Sequence, residues 1–163
     1  TVLENTSLGL ILKGISQKKA KQETHAILKK FCLNEFANHC PAVLSGGMAQ
    51  RVALLRTILF NNKFLLMDEP FGALDALTRL SMQMWLLDVW QTYKASVLLV
   101  THDIREAILL SDKIYVLGST PPTGIKEIAI NIPRPRRREM LQQKKALSIE
   151  QTLENLLLAN TYA

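Results

Sequence analysis

Apolar positions recur every three or four residues through the first third of the chain, then give way to short unbroken apolar runs. Val2, Leu3, Leu8, Leu10, Ile11 and Leu12 predict a short helix from Leu3 to Lys13, closed by a turn at Gly14-Ile15-Ser16. Ser16 is placed to cap a second helix from Gln17 to Phe31, with Ala20, Ile27, Leu28 and Phe31 on its buried side. Asn34 to Val43 has no period and is stopped by Pro41. Val52, Leu55 and Leu59 then mark a helix from Met48 to Phe60. Asn61-Asn62-Lys63 leads to Phe64-Leu65-Leu66-Met67-Asp68, an apolar run of strand type.

Pro70 and Gly72 break the chain after that run, and Asp75 can cap a helix from Ala76 to Tyr93. Its stripe is Leu77, Leu80, Met84 and Leu87; Trp85 and Trp90 read as packing. A strand from Ser96 to Val100, a helix from Asp103 to Leu110 and a strand from Lys113 to Leu117 follow. Gly118 to Gly124 is turn-rich, and the alternation of Ile128, Ile130 and Ile132 predicts a strand from Ile125 to Ile132 returning as a hairpin. Pro133-Arg134-Pro135-Arg136 ends regular structure. Ser148 with Gln151 forms a capping box for a last helix with Ile149, Leu153, Leu156 and Leu157 on one face. Alternating strands and helices predict a largely parallel sheet covered on both faces.

At 163 residues, 48% of them apolar and 21% charged, the chain is long enough for one domain with a real core. No apolar run approaches the roughly 18 residues that span a bilayer. The start lacks the charged region and cleavage pattern of a secretory signal. Cys32 and Cys40 have no partners at zinc-site spacing and read as free thiols, and His25 and His39 read as ordinary histidines. A cytoplasmic protein is expected. The net charge of +6 is concentrated in two stretches, Lys13 to Lys30 and Arg134 to Lys145. Neither has interleaved aromatics, so base stacking gains no support. A solvated helix face is the plain reading of the first, and a basic edge facing anionic lipid is open for either.

Two stretches carry chemistry. Leu44-Ser45-Gly46-Gly47-Met48 is a glycine pair behind a hydroxyl residue that opens a helix, where free backbone N–H groups and the helix dipole favour an anion. Phe64 to Asp68 ends in Asp68-Glu69-Pro70, so two carboxylates stand at the carboxyl end of a strand, where ligands of open α/β sheets bind. Each alone is ordinary: Ser caps many helices, and acids close many strands. Their order, with Gly72-Ala73-Leu74-Asp75 and Thr101-His102-Asp103 downstream, resembles the nucleotide-binding subunit of ATP-binding cassette (ABC) transporters.

The resemblance covers about three-quarters of the chain and implies a fold. This is an α/β, P-loop NTPase-like three-layer core with a mostly parallel sheet plus an α-helical subdomain, an incomplete ABC cassette. Residues 1–47 would be the helical subdomain ending in the signature motif, 48–132 the RecA-like core half, and 133–163 a basic linker and C-terminal helix. It also implies roles. Leu44 to Met48 would be the signature, with Ser45, Gly46, Gly47 and Met48 cradling a γ-phosphate held by a second subunit. Asp68 closes the Walker B strand and would hold Mg²⁺ through water; Glu69 would orient the attacking water. His102 would bond both the γ-phosphate and Glu69, and Asp75 in the D-loop would cross the subunit interface. On this reading Asp68 and Glu69 must be accessible and Glu69 must face His102.

ATP and Mg²⁺ are the implied ligands. The implied partners are a second ATP-binding subunit, head to tail, and integral permease subunits at the cytoplasmic face of the cell membrane, with no nucleic acid. Met48 replaces the commoner glutamine, and with Gln50-Arg51-Val52 and the Pro-Arg-Pro-Arg run it resembles the nitrate, sulfonate, taurine and bicarbonate import branch, although Ala49 is unusual there. The chain holds no Gly-x-x-x-x-Gly-Lys-[Ser/Thr] loop and no candidate Q-loop glutamine before Thr1. The simplest account is a C-terminal piece of a longer protein, the other a natural truncation; alone it is expected neither to bind ATP tightly nor to hydrolyse it, and to expose a sheet edge. Two other readings stay open. One is a DNA-maintenance ATPase of the coiled-coil SMC kind, for which Thr1 to Val43 lacks heptads. The other is a non-catalytic cassette lending only its signature.

Overall fold

The computed structural model describes residues 1–60, 63–117 and 125–161, so the expected linker at Asn61-Asn62 and the turn from Gly118 to Gly124 lie outside the described residues. The chain divides into two compact units: residues 1–66, 71–82 and 92–98 in the first, and 67–70, 83–91 and 99–163 in the second.

The first unit opens with α1 (Val2–Leu12). Thr1 caps it, its hydroxyl accepting from the Glu4 N–H while the Glu4 carboxylate reaches back to the Thr1 amine at 3.1 Å. Lys21 on the next helix, 2.9 Å from Glu4, holds that carboxyl down to about 2. Gly14 (φ +85°) makes the turn to α2 (Gln17–Lys30). Ser16 occupies the cap position, but its hydroxyl bonds no helix amide, so its expected capping role is corrected; its backbone carbonyl accepts from Ala20. Ala20, Thr24 and Leu28 are buried as one face. Two 3-10 turns follow, Asn34–Phe36 and Pro41–Val43, and Pro41 opens the second rather than stopping the chain, since the first turn of a helix needs no N–H there.

Helix α3 (Gly46–Phe60) starts two residues before the apolar period suggests, because the period registers buried side chains and glycines have none. It packs on α1 at Gly9, where a Cβ would stand 2.8 Å from the Phe60 nitrogen, and Leu10, Ala20 and Leu59 form the core beneath.

β1 (Phe64–Asp68), α4 (Ala76–Tyr93) and β2 (Ser96–Val100) run through both units. The strands are neighbours and parallel: Ser96 N–H donates to the Lys63 carbonyl, and Glu69 N–H to that of Val100, each at 2.9 Å. Leu65 and Met67 of β1 are buried, but Phe64 and Leu66 are 49% and 71% exposed. Val97, Leu98 and Val100 of β2 are exposed as well. Among the described residues the expected cover on both faces is therefore not seen; the apolar side chains of Phe64, Leu66, Leu98 and Val100 are exposed. On α4 the predicted stripe also fails at Leu77, 79% exposed, while Met82, Gln83, Trp85, Leu86, Leu87 and Val89 are buried. Leu77, Ser81, Asp88, Gln91 and Thr92 share the exposed face of α4, so apolar residues stand on both its buried and its open side and the three- and four-residue spacing does not tell the two apart.

In the second unit α5 (Ile104–Leu110) is capped by Asp103, which accepts from the Glu106 N–H at 3.0 Å. β3 (Lys113–Leu117) and β4 (Ile125–Ala129) pair antiparallel, Lys113 opposite Ala129 and Leu117 opposite Ile125, as a sheet separate from β1–β2. Ile130 and Ile132 leave the strand but stay in the core with Ile108, Val116, Ala146 and Leu153. Helix α6 (Lys144–Thr161) begins four residues before Ser148, so the expected capping box is an interior turn. The 3-10 turn Arg138–Gln142 feeds the chain in and buried Ala146 anchors it, which outweighs a local capping preference. Leu157 is 40% exposed, off the packed face of Ile149, Leu153 and Leu156.

Two members of the C-terminal basic run, Arg134 and Arg136, turn inward, while Arg137, Arg138, Lys144 and Lys145 stay exposed. Arg136 is 3% exposed and donates to the carbonyls of Ile130, Ile132, Ile108 and Ser111, capping the end of α5. Burial, then Arg134 beside it, pushes its pKa down; Asp112, 3.2 Å away, opposes this. Arg134 pairs with the same Asp112 at 2.8 Å and lies 4.0 Å over the Trp90 ring.

Candidate functional site

The carboxylates sit where β1 stops. Asp68 is the last strand residue and is exposed. At Glu69 the chain turns with φ +41°, a left-handed conformation uncommon for any residue but glycine, asparagine and aspartate. The bond from its N–H to the Val100 carbonyl holds this turn against the end of β2. Two residues past that carbonyl, His102 places Nδ1 3.1 Å from Glu69 Oε1. Both side chains are open, 53% exposed for Glu69 and 73% for His102. The turn carrying His102 is itself fixed: Asp103 N–H donates to Thr101 Oγ1, and the Asp103 carboxylate caps α5. Behind it Glu106 is buried and accepts from Gln83 Nε2 at 3.0 Å, a pair no spacing rule suggests.

This rim can hold a hydrated cation and place a water. One exposed strand-end carboxylate fits Mg²⁺, which keeps several waters and shares phosphate oxygens rather than entering a protein cage. Glu69, bonded to an imidazole on one oxygen, keeps the other for a water.

The amide turn lies in the first unit. Ser45 caps α3, its carbonyl accepting from Ala49 at 2.9 Å and its hydroxyl, at a long 3.4 Å, from the Met48 N–H. Among the described residues no hydrogen bond uses the N–H of Gly46 or Gly47, the orphan donors an anion seeks at a helix start. Ser45 and Gly46 are exposed; Gly47 is buried, and a Cβ on it would stand 2.7 Å from Thr78 Cγ2. That glycine is thus required by close approach to α4. Arg51, one turn further on, donates to Ser81 Oγ at 2.6 Å and Met82 Sδ at 3.3 Å. Thirty residues separate these partners, so no local pattern could have found them.

Asp75 belongs to the same unit and caps α4, accepting from the Leu77 and Thr78 N–H groups at 3.1 Å. The Thr78 side chain, then its N–H, holds the Asp75 carboxyl below the usual range. Arg79 donates to the Leu74 carbonyl, pinning the turn that carries Asp75. The structure thus brings Glu69 to His102, and brings both Gly47 and Asp75 against Thr78 in the first turn of α4. Among the described residues no helix is long and apolar enough to cross a membrane.

Residues 1–72 match the family described as ABC transporter. The chain is 45% identical over 133 residues to the nitrate import ATP-binding protein NrtD of Synechocystis, covering 82% of this chain and 50% of that protein. It is 43% identical over 145 residues to the formylaminopyrimidine import ATP-binding protein ThiZ of Halalkalibacterium halodurans (89% and 57%), and 46% over 126 residues to the aliphatic sulfonates import ATP-binding protein SsuB 1 of Pseudomonas syringae (77% and 46%). The chain therefore spans about half the length of the curated relatives it matches. Its backbone resembles a metal-chelate type ABC transporter in an inward-facing conformation, with TM-score 0.65 at 20% identity over 93% of this chain and 58% of that one, a likeness of fold. With those matches on a carboxylate rim and an amide turn in the family's order, the chain belongs to the ABC transporter ATP-binding proteins.

Proposed function

We propose that this chain forms part of the ATP-hydrolysing subunit of an importer for a small anionic solute, and that two such subunits work head to tail beneath integral permease subunits on the cytoplasmic face of the membrane. The observation that carries the reading is the open contact between Glu69 and His102 beside Asp68 at the end of β1. Bound Mg²⁺·ATP supplies the phosphoryl group and the metal's charge. Asp68 holds the ion's coordinated water, Glu69 orients the attacking water and takes up its proton, and His102 fixes Glu69 while its other ring nitrogen stays free for a γ-phosphate oxygen. The Gly46 and Gly47 N–H groups and the Ser45 hydroxyl close on the γ-phosphate of nucleotide held by the partner subunit, with Met48 next to them and Asp75 at the interface. Because the closed pair binds ATP better than the open one, nucleotide shifts the population toward closure and hydrolysis releases it.

The anionic cargo rests on Met48, on Gln50-Arg51-Val52 and on relatives named for nitrate and sulfonates; the relative named for formylaminopyrimidine import marks the limit of that inference. The chain by itself lacks a phosphate-binding loop, and we expect it neither to bind ATP at micromolar concentration nor to turn it over. Equilibrium titration of the chain with Mg²⁺·ATP tests this: a micromolar dissociation constant would overturn the trans-acting role given to the amide turn. In the assembled transporter, Glu69→Gln should lower ATP turnover by roughly a hundredfold or more while ATP-driven closure persists.

A further inference from the structure

We infer that the outward face of α2 is a docking surface for anionic lipid headgroups. The helix is locked by its other side, since Ala20, Thr24 and Leu28 are buried and Lys21 is spent on Glu4. This fixes what faces outward: Lys18, Lys29, Gln22, Ala26, Lys19 and Lys30, all exposed, along 14 residues or about 21 Å of helix. No acid lies within that set. Glu23 stands at its flank, 3.9 Å from Lys19, and Lys18 and Lys29 have no acidic partner among the described residues.

In the second basic stretch Arg134 and Arg136 turn inward to Asp112, Trp90 and backbone carbonyls, while Arg137, Arg138, Lys144 and Lys145 stay exposed with the acid Glu139 among them in sequence. Helix α2 presents two lysine pairs, Lys18–Lys19 at its start and Lys29–Lys30 at its end, with Lys30 5.8 Å over the Phe31 ring and no Phe, Tyr or Trp among the outward residues. Lysines attract an anionic surface as point charges and need no stacking, whereas single-stranded nucleic acid would want aromatic platforms. The choice of a lipid surface over nucleic acid also rests on the function proposed above, which puts the chain beside a membrane. With no large apolar side chain on this face, attachment is electrostatic and reversible.

The test is co-sedimentation of the full chain, without nucleotide, with phosphatidylcholine vesicles and with vesicles carrying about one-third phosphatidylglycerol. The expected result is at least tenfold stronger partitioning to the anionic vesicles. It should be lost at about 0.5 M salt, where the screening length falls to roughly 4 Å. Lys18→Gln with Lys29→Gln should weaken it roughly tenfold or more, given the attraction of each lysine near such a surface. Arg137→Gln with Arg138→Gln, exposed residues of the other stretch, should leave it unchanged. Far-ultraviolet circular dichroism of each variant establishes that the helices are retained. Equal partitioning to neutral and anionic vesicles, or an unchanged Lys18/Lys29 variant, overturns the inference; tighter binding to duplex DNA than to anionic vesicles at the same salt overturns the lipid assignment. No ATP enters the assay, so its failure is distinct from failure of the hydrolytic reading.

Discussion

Glu69 adopts φ +41° although no glycine is there to make that conformation easy, and the surrounding bonds hold it in place: its N–H on Val100 and its carboxylate on His102. His102→Ala removes only the second of these. It should therefore lower ATP turnover in the assembled transporter while leaving the chain's melting temperature within a degree or two, as expected for an exposed side chain. Arg136 is the opposite case. Arg136→Ala strips the partner from several buried carbonyls and should cost on the order of 3 kcal/mol in denaturant unfolding. Arg136→Lys should recover less than half, because one ammonium cannot span the same acceptors. Single residues also set the acid response. Glu4 is held at about 2 in the folded chain against an ordinary value of 4.5, so its contribution is complete above 4.5 and lost as pH falls toward 2. Asp75, also lowered, acts in the same direction. Replacing Glu4 with Gln should flatten the unfolding profile in that window.

At the scale of elements, the order and kind of helices and strands were legible because 3.6 and 2.0 periods survive in the apolar positions. The places of Asp68, Glu69, Asp75 and His102 near the ends of elements were legible because turn and capping residues mark those ends; the roles proposed for them come from the family resemblance. What was hidden depends on distant partners. Ser148 carries a capping signature, yet α6 starts earlier on buried Ala146 and a 3-10 turn. Arg134 and Arg136 read as part of a basic linker that ends regular structure, because a charge run does not reveal that backbone carbonyls wait for it. Thr78 and Ser81 carry no mark that α3 will seat on them. The close approach there gives a sharp prediction. Gly47→Ala should lower the melting temperature by several degrees through its clash with Thr78 Cγ2, and Thr78→Ser, which deletes that methyl and keeps the hydroxyl, should restore most of the loss.

Over the whole molecule, the exposure of apolar side chains on β1 and β2 is the feature the alternating pattern could not announce, since a strand's sequence records that it is apolar and not which side is covered. Phe64, Leu66, Leu98 and Val100 lie exposed on strands that, among the described residues, pair with each other alone. Such a surface invites strand addition, and the chain should associate in a concentration-dependent way that Leu98→Lys suppresses, as light scattering would register. The central claim concerns chemistry at the strand's end. Its most direct measurement is steady-state ATP hydrolysis by the assembled transporter carrying Glu69→Gln, read beside nucleotide-driven subunit closure. Hydrolysis lowered by roughly a hundredfold or more with closure intact is the predicted result. Turnover at the parent rate would contradict the assignment of Glu69 and, with it, the catalytic reading of the rim.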